Sequence, residues 1–215
     1  MRRLLTAALG TLLFAGCTDL LPPPGVDPYE YRKFVPVEGD ILGPMAFRWP
    51  RAALPVRIYV EDQSPLRSAL LEAIATWEGA FVYGEVRAEL VGDSTAADVI
   101  VRNEIATKLS ADFRLGGSAD GCLGQTDFDA DVPRGELYPP FRIRVWAQTS
   151  PGPGLEACYR ATVLHELGHA LGIFEHSPSS DDVMNVNPTR VDLSARDRAT
   201  IEAVYHLPAT LVPVR

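Results

Sequence analysis

Apolar and polar residues alternate along Val56-Arg57-Ile58-Tyr59-Val60 and again along Phe141-Arg142-Ile143-Arg144-Val145-Trp146. That is the period of a strand with one face buried. Ala97-Asp98-Val99-Ile100-Val101 shares the β-branched character, and residues 86–91 share it more weakly. After the first strand, Leu66, Leu70, Ile74, Trp77 and Phe81 recur at helical spacing. They predict an amphipathic helix opening at Pro65, with Ser64 as its cap. Residues 103–139 read as loop-rich with weak strand signals, and Gly152, Pro153 and Gly154 end the Phe141 strand. A second helix is expected over about 155–171, and a last one behind Ser194, with Ile201, Val204 and Tyr205 toward the core. No internal repeat interrupts this order of strand, helix, several strands, helix, turn and helix, so the fold class is α+β in one domain.

The N-terminus departs from that pattern. Residues 4–14 are almost wholly apolar behind Arg2 and Arg3, a run too short to span a bilayer and characteristic of an export signal. The small residues ahead of Cys17 resemble the bacterial lipoprotein signal, in which that cysteine is acylated and becomes the new N-terminus. Phe14 stands where leucine is usual, and a plain secretory signal cut nearby is the other reading. The expected division is a lipoprotein signal over 1–16, a Pro-rich tether over 17–45 and a folded domain over 46–215. Leu21-Pro22-Pro23-Pro24-Gly25, Pro28, Pro36, Gly39, Gly43 and Pro44 mark the tether. A short propeptide or an arm packed on the domain is its alternative. The protein is thus expected at the cell envelope, on the membrane only through a multiply acylated N-terminus, or secreted if the lipid signal is unused. A net charge of −8 argues against nucleic acid and against an anionic membrane as partners of the domain surface. The length suits one compact domain, expected as a monomer. Cys122 and Cys158 form an even pair in an oxidising compartment and suggest a disulfide; two buried thiols are the alternative.

The chemistry concentrates in His165-Glu166-Leu167-Gly168-His169-Ala170-Leu171-Gly172, followed by His176. Histidines four apart on a helix lie on one face, about 5–6 Å apart at Cβ, so both imidazoles reach one metal ion. Glu166, beside the first histidine, can take a proton from a water activated by that metal. Gly172 lets the helix stop and the chain turn toward a third ligand. An amphipathic helix with incidental polar residues is the bland alternative. The glycine, the further histidine, the Met-containing turn Asp182-Val183-Met184-Asn185 and the export signal all weigh against it.

From His165 to Met184 the chain resembles a metzincin metallopeptidase of the matrixin (matrix metalloproteinase-like) branch. Leu54–Val60, Ala73-Ile74-Ala75-Thr76-Trp77, the strand around Val99, and Leu193-Ser194-Ala195-Arg196-Asp197 on to Tyr205 extend the resemblance to about residues 46–208. It implies a twisted mixed sheet, an active-site helix and a C-terminal helix. It also implies Zn2+ on His165 and His169, Glu166 as general base, and Met184 in a turn beneath the metal. The family's third histidine falls three residues after the glycine; here Glu175 holds that position and His176 follows. Either side chain can serve, and imidazole chemistry favours His176. With four histidines in the chain, a second, structural zinc site is not expected, and His206 reads as a surface or packing residue. Asn185 and Val186 replace the tyrosine and proline usual after the turn methionine. Asp127, Asp129 and Asp131 alternate in what reads as a loop and are weak candidates for calcium, lacking an EF-hand's glycine and distal glutamate. The activity implied is zinc-dependent hydrolysis of peptide bonds in a protein or peptide substrate. A non-catalytic, zinc-stabilised lipoprotein that binds a surface partner, or a zinc hydrolase of non-peptide amides or esters, are the alternatives.

Overall fold

The computed structural model describes residues 25–61, 65–103, 113–115, 118–119, 122–147 and 152–214. Cys17, the export signal and Ser64 lie outside the described residues. The elements run β1 (Lys33–Val37), β2 (Asp40–Met45), β3 (Val56–Val60), α1 (Leu66–Glu78), β4 (Ala88–Val91), β5 (Val99–Arg102), β6 (Phe113–Leu115), β7 (Ser118–Ala119), β8 (Cys122–Asp131), β9 (Glu136–Ala147), α2 (Pro153–Ala170), α3 (Ala195–His206) and β10 (Val212–Pro213).

A mixed sheet in the order β4-β3-β5-β9-β8-β6 forms the body, with β10 added to β9 and β7 to β8. Strands β4, β3, β5 and β9 are parallel neighbours, while β8 pairs antiparallel with β9. Alternation along the strands buries Val56, Ile58 and Val60, then Val99 and Val101, then Phe141, Ile143 and Val145. Helix α1 lays Leu66, Leu70, Ile74 and Trp77 on that core. Helix α2 packs between α1 and strands β8 and β9, so nearly every residue from Cys158 onward is buried. Two indole N–H groups tie it in place: Trp77 donates to Leu164 O at 2.9 Å and Trp49 to Ala170 O at 2.9 Å. The expected α+β architecture, with a mixed sheet, a helix carrying the histidines and a C-terminal helix, is the one found.

Two expectations need correction. The stretch over 103–139 is not mainly loop: β8 is a ten-residue strand. Its glycine and three aspartates give it little intrinsic strand preference, and pairing with β9 overrides that. Asp127, Asp129 and Asp131 therefore sit on and at the end of a strand and meet arginines rather than one another. Asp127 bonds Arg144, Asp129 bonds Arg142 at 3.2 Å, and Asp131 faces Arg134 at 3.4 Å. The second correction concerns 17–45. From Tyr29 onward this segment is an arm on the domain followed by the β1–β2 hairpin, with Tyr29 and Tyr31 buried. Burying two aromatic rings offsets the entropy of ordering a Pro-rich arm.

Candidate metal centre

Helix α2 presents His165 and His169 on one face, and the chain then reverses. Leu171 N bonds Leu167 O, and Gly172 adopts φ +117°. A side chain there would also collide with Phe47 O, 2.2 Å from an ideal Cβ. The returning segment brings in His176. Nitrogens of His165, His169 and His176 all lie within 4.8 Å of one another, and they are the one such group of potential metal ligands among the described residues. Glu175 is outside the group; its N–H donates to Tyr31 O at 3.2 Å.

The tautomers follow from the partners. His165 Nδ1 lies 2.8 Å from Val183 O and His169 Nδ1 2.5 Å from Ile173 O. A carbonyl only accepts, so both Nδ1 atoms carry the proton. Both Nε2 atoms then present lone pairs, and they face each other at 3.1 Å. Protonation does not relieve the contact. Burial drives the His165 pKa down to about 3, against the weaker opposing pull of Val183 O, and burial drives His169 down as well. Two converging lone pairs in a dry site make a place for a cation.

Glu166 is fully buried beside this group. Its Oε2 accepts from Thr126 Oγ1 at 2.7 Å. An ideal Cβ on Gly124 would stand 2.2 Å from Glu166 Oε1, so β8 approaches the carboxylate only because position 124 has no side chain. Gly168, between the two histidines, serves Met184 in the same way: a Cβ there would lie 2.4 Å from Met184 Sδ and 2.8 Å from Trp77 Cζ2. The Met184 turn is held from several sides. Ser177 N donates to Met184 O at 2.7 Å, and Asn185 Nδ2 to Ser177 O at 3.1 Å. Asp197, in the first turn of α3, accepts from Val183 N at 2.9 Å and from the Tyr29 hydroxyl at 2.8 Å. Cys122 and Cys158 are joined as a disulfide, Cα–Cα 5.7 Å. His206 is exposed, 3.5 Å from Glu85 and apart from the group.

The motif residues thus converge as sequence spacing suggests. The bare contact positions Gly124 and Gly168, the hydroxyl of Thr126 and the carboxylate of Asp197 were not singled out. Thr126 and Gly124 lie 40 or more residues from Glu166 in sequence and carry no local signal.

No protein-family model and no curated protein sequence matches the chain. Among solved structures it is similar to that of myroilysin, at 13% identity and a TM-score of 0.44, over 75% of this chain and 96% of that one. That likeness is too loose to bear on the site.

Proposed function

We propose that this chain is a zinc-dependent endopeptidase of the matrixin type. The observation that carries the reading is the pair of Nδ1-protonated histidines with opposed Nε2 lone pairs, joined by a third imidazole and flanked by a buried carboxylate. Three imidazoles suit zinc, whose catalytic sites take three protein ligands and leave a fourth position open, whereas calcium and magnesium prefer oxygen donors. His165, His169 and His176 would hold the ion, which supplies a Lewis acid for the scissile carbonyl and the attacking water.

The remaining steps fall to the chain's own groups. Val183 O and Ile173 O fix the two helical rings and raise their donor strength. Glu166 takes the proton of the attacking water and hands it to the leaving amine. Its burial keeps bulk water from competing for that proton. Met184 closes the floor of the site against α2. Cys17 carries acyl chains that hold the enzyme at the envelope, and the residues that follow it are the spacer before the Tyr29 arm.

The test is metal analysis with peptide-library cleavage for the parent, Glu166→Ala, Glu175→Ala and His176→Ala. The reading requires zinc at one equivalent, loss of cleavage with zinc retained in Glu166→Ala, and loss of zinc in His176→Ala but not in Glu175→Ala. Zinc without turnover in the parent supports the non-catalytic lipoprotein instead. Intact mass of the envelope form tests acylation at Cys17.

A further inference from the structure

Strand β8 and helix α2 are joined at two points. One is the Cys122–Cys158 disulfide; the other is the bond from Thr126 Oγ1 to Glu166 Oε2. Four residues along a strand span about 13 Å and eight along a helix about 12 Å, so strand and helix run side by side between the two links. At the midpoint stands Gly124, where an ideal Cβ would meet Glu166 Oε1 at 2.2 Å and Thr162 Cγ2 at 2.5 Å. One carboxylate oxygen therefore rests on bare backbone and the other on a hydroxyl. Thr126 is fully buried, and its single proton has two acceptors on the same residue, Glu166 Oε2 at 2.7 Å and Glu166 O at 3.1 Å. The shorter contact, to Oε2, takes it.

We infer that Thr126 is a positioning residue for Glu166. Its hydroxyl fixes the carboxylate's rotation, Gly124 admits the strand to that distance, and the disulfide holds the strand in register over the helix. The inference rests on the reading of Glu166 as general base. A buried carboxylate on a two-methylene stem otherwise has several rotamers, and proton transfer needs one of them.

The experiment compares Thr126→Val, Thr126→Ser and Glu166→Ala in the full chain loaded with zinc, by steady-state cleavage of one library-selected peptide. Thr126→Val should lower kcat by about ten-fold or more, the scale on which supporting groups act, with KM and zinc content near parental. Thr126→Ser, which keeps the hydroxyl, should recover most of that loss. In the metal-free protein, Thr126→Val should lower the urea midpoint in the parent and clearly less in the Glu166→Ala background, where the carboxylate is gone. Equal kcat for Thr126→Val and parent overturns the assignment, as do equal losses for valine and serine or identical midpoint shifts in both backgrounds. Should Glu166→Ala itself keep the parental rate, the general-base reading fails. Should it lose turnover while Thr126→Val does not, only the positioning role fails.

Discussion

Acidifying the metal-free protein should destabilise it through the buried histidines, and the size follows from His165. Burial pushes its pKa from the ordinary 6.5 to about 3, and the nearby His176 pushes the same way. In the unfolded chain the same imidazole protonates near 6.5, so between pH 6.5 and 3 the unfolded state binds the extra proton. Stability is then full above pH 6.5 and falls as the pH drops through that window. At pH 5, about 1.5 units below the unfolded value, one such group costs about 2 kcal/mol relative to pH 8. His169, lowered by burial as well, adds to the loss with the same sign. Asp127 and Glu202, whose carboxyls burial raises, act in the opposite sense, so the control is His165→Gln. The assay is urea denaturation of chelator-treated protein at pH 8 and pH 5, followed by tryptophan fluorescence, since Trp77 lies against the helix carrying His165. The reasoning is refuted if the parent is as stable at pH 5 as at pH 8, or if His165→Gln shows the parental pH dependence. Saturating zinc should displace the loss to lower pH, because the ion and the proton compete for the same lone pairs.

Three further variants test the supports of the site. Gly168→Ala drives a methyl group into Met184 and Trp77; overpacking costs about 1–3 kcal/mol, the gain in helix propensity returns about 1, and a thermal melt should show a net loss. Tyr29→Phe removes the hydroxyl that donates to Asp197; a lost bond to a buried carboxylate should lower stability by about 1–3 kcal/mol in urea titration, and an unchanged midpoint would leave the arm without that anchor. Replacing both Cys122 and Cys158 by alanine should lower the melting midpoint, because a cross-link separated by 36 residues restrains the unfolded chain by up to about 4 kcal/mol.

The strands and helices that follow simple periodicity were legible. Val56–Val60 reads from its alternation alone, and Ser194 caps α3 with a reciprocal box to Asp197. The helix carrying the histidines was found through its motif and not its amphipathicity, because burial on all sides leaves it no polar face. Strand β8 was not legible. Its glycine, glutamine and three aspartates dilute the apolar residues Leu123, Phe128 and Ala130, and what makes it a strand is the β9 backbone with Arg142 and Arg144, which meet its aspartates across the sheet. The arm is ambiguous in the sequence for a related reason. Pro28 and Pro36 mark extended backbone, and extended backbone is equally what a tether or a docked arm requires; only the burial of Tyr29 and Tyr31 separates the two.

The same limit explains the third ligand. Sequence spacing leaves Glu175 and His176 competing, since counting residues from Gly172 says nothing about which way each side chain turns. The structure groups His176, and not Glu175, with the two helical histidines. Past Gly172 the chain bends at Glu175: Phe174 enters the aromatic cluster, 5.0 Å from Phe128, and His176 stacks on His165 at a ring separation of 5.2 Å. What fixes the segment is the peptide group between Ile173 and Phe174. Its carbonyl accepts from His169 Nδ1 at 2.5 Å and its N–H donates to Tyr31 O at 2.7 Å. One planar group is therefore held from both ends, by a helical histidine and by the arm. A residue inserted or removed between Gly172 and Phe174 would break one of those bonds. The segment that carries His176 to the two helical histidines is thus tied to the docked arm: Tyr31 O accepts from Phe174 N at 2.7 Å and from Glu175 N at 3.2 Å, immediately ahead of His176.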